Sequence, residues 1–505
     1  MIRTVATYIL ILASLTVVAR DALDIRGAAV IDAATVDVAT LPYLSNPAAM
    51  FTRFEASRST FNAVGSYSGA DESLVVQEGS GHLLGGLSAD SYMRYNSSTV
   101  VWGGAKFSTG QLRNLKWTES IDYDRIAPYV LGDSVGGNLS ERRYSFYGGY
   151  AGRSGRWGWG AKASYQASID YRDRDPRDKI VVSDLNVDLG VTRTLGNYDL
   201  GAALGLNVYN QDCDLEFYNP VNNIRVYVFT GLGTVYNRFS GNSAENAAYD
   251  GLGYRMALTL TPIGGDGAWG AIRYRHDYMK QILRDFNNIT LSHATSYHCE
   301  GEAGWKGSAQ RLTIAPRAML KWRRRIGTEN LFGSSVGTDY NYIGHHTYYY
   351  SDCVTALLDV PMTIAIRDNT SLDIVPGGFY FYEHENYRTP SRDLEADRLG
   401  VKLQAALAFD AGSVRLRPCI EGVIDYASSL NCKLTGLNPV SPIGEMVYHN
   451  FDMLIADSRS LGVSLGASYN MTHAIALQIE AKARRSWISG HGKSTQAIVT
   501  AGVVF

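Results

Sequence analysis

The stretch Trp157-Gly-Trp-Gly-Ala-Lys-Ala-Ser-Tyr-Gln-Ala-Ser-Ile-Asp-Tyr171 decides the fold. Its odd positions are Trp157, Trp159, Ala161, Ala163, Tyr165, Ala167, Ile169 and Tyr171, and its even positions include Lys162, Ser164, Gln166, Ser168 and Asp170. Side chains along a strand alternate between its two faces, so this segment is a strand with one apolar and one polar side. Its 15 residues exceed the roughly 5–6 usual in soluble sheets and suit a tilted bilayer crossing of about 9–11 residues or more.

Working outward, the pattern repeats. Leu185, Val187, Leu189 and Val191 alternate with Asp184, Asn186, Asp188 and Thr192. After Leu195-Gly196-Asn197, the set Tyr198, Leu200, Ala202, Leu204, Leu206 and Val208 alternates with Asp199, Gly201, Gly205 and Asn207. Tight turns are expected at Arg153–Arg156, Leu195–Asn197, Gly264–Gly267, Lys306–Ala309, Asp359–Met362, Ala411–Ser413 and Asn470–His473. Long polar connections are expected at Tyr123–Arg142, Cys213–Asp250, Arg325–Asn341, Asn386–Glu395 and Ser429–Asp457. Short turns on one side and long loops on the other are the outer-membrane arrangement, periplasm against exterior. With the carboxyl terminus in the periplasm, counting back gives fifteen strands from about Arg143 and up to three more between Phe54 and Asp122, if Val100–Asp122 is one long bent strand. The expectation is a single all-β, antiparallel transmembrane barrel of about eighteen strands, with sixteen or fourteen as alternatives.

Composition agrees. Gly is 51, Tyr 33 and Pro 13 in 505 residues, and charged residues are 19%, below the roughly 25% of ordinary soluble chains. Beyond residue 20 no apolar run is long enough for a membrane-spanning helix. A formal charge of −2 argues against nucleic-acid binding, which calls for a basic face. The five cysteines, Cys213, Cys299, Cys353, Cys419 and Cys432, have no CxxC spacing and are odd in number, so neither a disulfide framework nor a metal site is expected from them.

The ends fit an exported barrel. Met1 to about Ala19 reads as a secretory signal, with Arg3, an apolar stretch from Val5 and a small-residue exit at Val17-Val18-Ala19. Residues 20–53 are expected to form a periplasmic or plug segment, and 54–505 the barrel. The last strand, Thr495 to Phe505, places Ala497, Val499, Ala501, Val503 and Phe505 on one face. Phe505, with Val503 and Ala501, is the expected membrane-assembly signal.

Three blocks, Tyr123-Asp-Arg-Ile-Ala-Pro-Tyr-Val-Leu-Gly-Asp-Ser-Val-Gly-Gly137, Tyr144-Ser-Phe-Tyr-Gly-Gly-Tyr150 and Gly155-Arg-Trp-Gly-Trp-Gly160, resemble a Bacteroidota-type family of outer-membrane barrels without assigned function. The likeness covers most of the chain and implies location and fold. Leu44-Ser45-Asn46-Pro47-Ala48-Ala49-Met50 is similar to the Asn-Pro-Ala segment near the start of the fatty-acid-transporter barrels and their secretion-associated relatives. There the resemblance implies an N-terminal plug inside a fourteen-strand barrel.

Few residues invite chemistry. His345-His346, followed by Tyr348-Tyr349-Tyr350, and His384 between Glu383 and Glu385 put neighbours on opposite faces, so neither group chelates an ion easily, and no third ligand is evident. No local motif assembles a catalytic trio, so neither an enzyme, a cofactor nor a metal is expected. The inward charges say more. Arg273 and Arg275, then His298, Glu300 and Glu302, then Arg311, Arg317, Lys321 and Arg323 fall on one face of three consecutive strands. Arg398, Lys402, Arg415, Arg417, Glu421, Asp425, Glu480, Lys482 and Arg484 continue the mixture. The binding candidates lining the lumen are Arg273, Arg275, His298, Glu300, Glu302, Arg317 and Lys321. Such a set is either a cross-strand ladder bracing a wet interior or the lining of a polar, weakly anion-favouring passage.

The expected protein is therefore a bacterial outer-membrane pore or uptake accessory. The alternative is an interaction barrel whose loops dock a partner, with a barrel hydrolase as the lesser third reading. Expected partners are the lipid bilayer, the barrel-assembly machinery, and a surface lipoprotein or TonB-dependent transporter neighbour, with no nucleic acid.

Overall fold

The computed structural model describes residues 45–218, 224–241, 246–336, 339–472 and 475–505. The expected signal at 1–19 and residues 20–44 of the N-terminal segment lie outside the described residues.

One antiparallel sheet of twenty segments closes on itself. Two of those segments are short continuations. Leu312–Ile314 leads into Arg317–Val336, and Asp339–Asp359 leads into Met362–Arg367, so the barrel has eighteen staves. The seam joins the first strand, Arg58–Ala70, to the last, Gly492–Val504, in register from Thr60 opposite Val504 to Ala70 opposite Ser494. The main chains of Ser59 and Phe505 exchange hydrogen bonds of 2.7 and 2.9 Å below it. No edge is left unpaired, which is what hydrocarbon demands of a sheet.

Alternation sorts the two faces. Leu189 and Leu204 are 58% and 59% exposed on the outside, whereas their neighbours Asp188 and Asn207 point inward to polar partners. Ile272, Leu320, Leu358, Leu399 and Val463 continue the exposed apolar belt. Val499 and Phe505 share that outer face, on which Ala501 and Val503 also fall by alternation. The belt is the surface of a transmembrane barrel.

Connections at one end are short. Leu195 and Tyr198 are separated by two residues, as are Ala411 and Val414. The opposite end carries the long segments between Leu115 and Gly137, between Glu216 and Ala247, and between Leu434 and Ser458. The described parts of these segments fold into the barrel. Val130–Gly132, Tyr227–Gly231 and Thr234–Val235 form a small three-stranded sheet, and helix α1, Pro442–Leu454, lies beside it. Ser441 caps α1 by accepting from Gly444 N at 3.1 Å, and Pro442 opens its first turn, a combination suited to a helix start.

Four connections differ from expectation. Lys306–Ala309 is strand to its end, and the turn follows at Gln310-Arg311. Asp359–Met362 is no turn. The strand is interrupted at Val360-Pro361 and goes on to Arg367, and the turn lies at Asp368-Asn369. A proline supplies no N–H to a ladder, yet the sheet holds here because Ala315 N donates to Pro361 O at 2.8 Å and Val360 N to Pro376 O at 2.9 Å. Arg325–Asn341 and Asn386–Glu395 are not long loops, since strands run to Val336 and Tyr387 and resume at Asp339 and Arg392. Their polar residues turn inward. Arg325, 3% exposed, donates to Ala127 O, Asp124 O and Ser296 Oγ, and Arg392 donates to Leu232 O and Thr435 O.

Candidate functional site: the barrel interior

The interior has two floors. At the loop end, Tyr209, Tyr249, Met279, Tyr349, Phe379 and Val423, from the inner faces of six strands, share one apolar core. Into it pack Trp117, Ile121 and Ile126 from one inserted segment, Phe229 and Phe239 from another, and Met446 and Phe451 from α1. The loops therefore fill the lumen as a dry plug.

Charged ties fix the plug to the wall. Arg125 Nη1 lies 2.8 Å from Asp184, and its other amino group bonds Asn207, which also donates to Asn186 Oδ1 at 3.0 Å. Arg323 meets Asp124 at 2.8 Å. Arg172 lies between three carboxyls, Glu119 at 3.0 Å, Asp133 at 3.1 Å and Asp178 at 2.6 Å, all essentially buried. One guanidinium cannot neutralise three carboxylates. Burial, and then the nearby Asp178, push the Glu119 carboxyl well above the usual range. Burial works to raise Asp133 as well, but its bond with Glu119, the Arg172 charge and the Gly136 N–H outweigh that and hold it low.

Below the plug, towards the short turns, the wall is polar and accessible. Arg273 sits opposite Glu300, with its guanidinium 2.5 Å from Glu300 and 3.4 Å from Glu302. Lys321 lies opposite Glu300 on the other side, 3.5 Å away. Arg317 reaches Glu302 at 3.8 Å and Asp359 at 2.9 Å, and Lys402 closes on Asp359 at 2.6 Å. The structure thus brings Arg273, Glu300, Glu302, Arg317 and Lys321 into one ladder. Arg275 and His298 stand apart from it, on Asp277 at 2.7 and 3.4 Å. Arg311, expected on the same wall, falls in the short turn Gln310-Arg311. Farther round, Arg417 pairs with Asp373 at 2.8 Å, and Arg484 with Glu421.

Sequence reading missed Asp359, which it took for the edge of a turn, and Asp277, which lies on the Arg275 face two residues on. Asp188, on the polar face of its strand, grips Arg255 in a two-pronged pair of 2.6 and 2.7 Å. His345 and His346 remain separate, one on Tyr342 at 2.9 Å and the other tilted against Tyr348, ring centroids 4.4 Å apart. All five cysteines are free.

The described part of the N-terminal segment enters the short-turn end. Asn46 is fully buried. Its amide donates to Val191 O at 3.0 Å and Ala202 O at 3.3 Å, and its carbonyl oxygen accepts from Ala48 N at 2.9 Å. The next residues form the short 3-10 turn Pro47–Thr52. Gly160, Gly190 and Gly201 line the recess, and a Cβ at any of them would collide with Asn46, Pro47 or Ala48. Here glycine is required by close approach. Residues 46–54 lie along the wall, where Tyr92 and Arg94 bond the carbonyls of Met50, Phe51 and Phe54.

No curated protein matches the sequence. Among solved structures, the chain is similar to the ferric enterobactin receptor of Pseudomonas aeruginosa, at 8% identity over 88% of this chain and 80% of that one, with a TM-score of 0.38. It is also similar to the ferric preacinetobactin receptor of Acinetobacter baumannii, at 8% identity over 88% and 79%, TM-score 0.40, and to a siderophore receptor of the same organism, at 8% over 88% and 81%, TM-score 0.40. Residues 47–505 match a family of unknown function, DUF6850. That match begins inside the buried Asn46-Pro47 turn and spans every strand of the barrel, and the chain is a member of the DUF6850 family.

Proposed function

We propose that the protein is a gated uptake accessory of a bacterial outer membrane. The chamber towards the periplasm admits polar solutes, and the outer end is closed by the protein's own loops until a partner displaces them. One observation carries this reading: a dry plug built from loops, not from the wall, stands over an accessible charged chamber. Arg275 and Lys321 side chains are each 45% exposed there, and the lumen-lining role falls to them with Arg273, His298, Glu300, Glu302 and Arg317. Rings of such charge set ion preference in pores. The outer face of the last strand, with Phe505, Val503 and Ala501, serves as the assembly signal. No catalytic step belongs to this reading.

The test is single-channel conductance in planar bilayers. The parent should be silent or nearly so. A barrel in which all three inserted pieces, residues 117–135, 226–241 and 442–454, are replaced by short Gly-Ser linkers should conduct, as should Arg125→Ala/Arg323→Ala to a lesser degree. A loop-replaced barrel that is folded yet silent would end the passage reading. It would favour the interaction barrel, for which the same plug makes the outer end a rigid platform for a surface lipoprotein or transporter neighbour.

A further inference from the structure

Glu72, His449 and His491 lie far apart in the sequence but meet at the loop end of the barrel seam. Glu72 follows the first strand, His491 precedes the last, and His449 is on α1. Their three ligand atoms all lie within 4.8 Å of one another. Glu72 Oε2 is 2.9 Å from His491 Nδ1 and 3.9 Å from His449 Nδ1. A tetrahedral ion with bonds of about 2.0–2.1 Å needs ligand atoms about 3.3–3.4 Å apart. The two Glu72 distances lie on either side of that value.

The surroundings prepare the ligands. His449 Nε2 lies 2.7 Å from Ser73 O, an acceptor only, so the ring proton belongs on Nε2 and the Nδ1 lone pair faces Glu72. An outer hydrogen bond of this kind fixes the tautomer of metal-binding histidines. Asp71 ties the two sides of the seam, donating its N–H to Lys493 O and accepting from Lys493 N, both at 2.9 Å. Asn450, the next residue on α1, accepts from Val76 N and donates to Gln77 Oε1, both at 3.1 Å. Three ligands thus come from three separately anchored pieces. Glu72 is 46% exposed and the histidines 27% and 19%, which leaves a fourth position open to solvent.

We propose that Glu72, His449 and His491 bind a zinc-class divalent transition-metal ion, which clips α1 to the barrel seam at the outer rim. Two imidazoles and one carboxylate suit Zn²⁺ and its borderline neighbours, whereas Ca²⁺ and Mg²⁺ call for oxygen ligands. The inference is independent of the uptake reading, because it concerns the rim and not the lumen.

The experiment is calorimetric titration of the chelator-stripped, detergent-folded full chain with Zn²⁺, followed by zinc X-ray absorption. One ion per chain is expected, with two imidazole nitrogens and one carboxylate oxygen in its shell, and Mg²⁺ should give no heat. His449→Ala, His491→Ala and Glu72→Gln should each weaken binding at least tenfold, while His345→Ala/His346→Ala should not. Zinc should raise the melting temperature of the parent but not of His449→Ala/His491→Ala. A parent that takes up no zinc at one per chain overturns the proposal whatever the variants do, and so does uptake that survives the double variant.

Discussion

The two halves of the lumen are made by the same eighteen strands and solve opposite problems. Towards the loops, inward side chains such as Tyr209, Tyr249 and Phe379 are buried in an apolar core, and charges among them are taken up inside, in groups around Arg172, Arg125 and Arg323 and, for Arg325 and Arg392, on carbonyls of inserted chain. Towards the short turns the inward side chains are charged in rows, and Arg273, Arg275, Glu300 and Lys321 among them are open to solvent. The same alternation therefore builds a protein-like interior in one half and a solvated wall in the other. What differs is whether inserted chain is there to cover the inner face.

The contrast predicts unequal costs. Arg172→Ala should be the most damaging, about 3–5 kcal/mol, because it leaves a buried carboxyl group cluster without its cation. Denaturant titration of the folded barrel in detergent measures this, and a loss as small as that of a solvated pair would erase the distinction between the halves. Leu189→Arg or Leu204→Arg tests the wall that both halves share, and near the bilayer midplane should cost about 2–4 kcal/mol in a folding titration into lipid. Equal tolerance of Leu and Arg there would reverse inside and outside.

The third effect is a slope. Glu119 is raised in the folded protein, so the stability it lends is full below its unfolded value of about 4.3 and is lost as pH rises through its folded value. Asp133, held low, acts with the opposite sign, losing its contribution as pH falls below its unfolded value of about 3.9. Melting curves of the parent should fall as pH rises above the ordinary carboxylate range, and Glu119→Gln should flatten that fall. An unchanged slope would mean that Glu119 ionises like a surface carboxylate. The smallest effect belongs to the wet half. Glu300→Gln should cost about 0.2–1 kcal/mol, as a solvated pair does, and Glu302→Gln, whose side chain is only 8% exposed, should cost more. Their clearer readout is a reversal potential shifted towards anions in the loop-replaced barrel.

The sheet was legible because period two is a local signal repeated eighteen times. The turns after Leu195 and Ala411 announce themselves through glycine, and the count from the carboxyl terminus survives errors of several residues. The plug was not legible, because polarity means something different inside a barrel. Arg325 and Arg392 look like loop residues in one dimension, yet they bond carbonyls of inserted chain in the lumen. The Arg273–Glu300–Lys321 contacts could be read from alternation and strand order. The Asp359 contacts were hidden by Pro361, which suggests a turn wherever hydrogen bonds from the neighbouring strands are not in view. The grouping at Glu72, His449 and His491 has no sequence signal at all, since it depends on the seam bringing the two ends of the barrel together.

The Asn46 clasp has a consequence for the order in which the barrel is made. Val191 lies directly opposite Ala202 in the hairpin register, and a single amide spans their two carbonyls. A slip of one residue in that hairpin would turn those carbonyls away and put side chains where glycine now leaves room. Asn46 is 145 residues from one acceptor and 156 from the other, so it can lock only after the hairpin is paired correctly. The amino-terminal end of the described chain, made before any of these strands, is thus among the last parts to settle, and its settling is a proofreading step that rewards only the correct alignment.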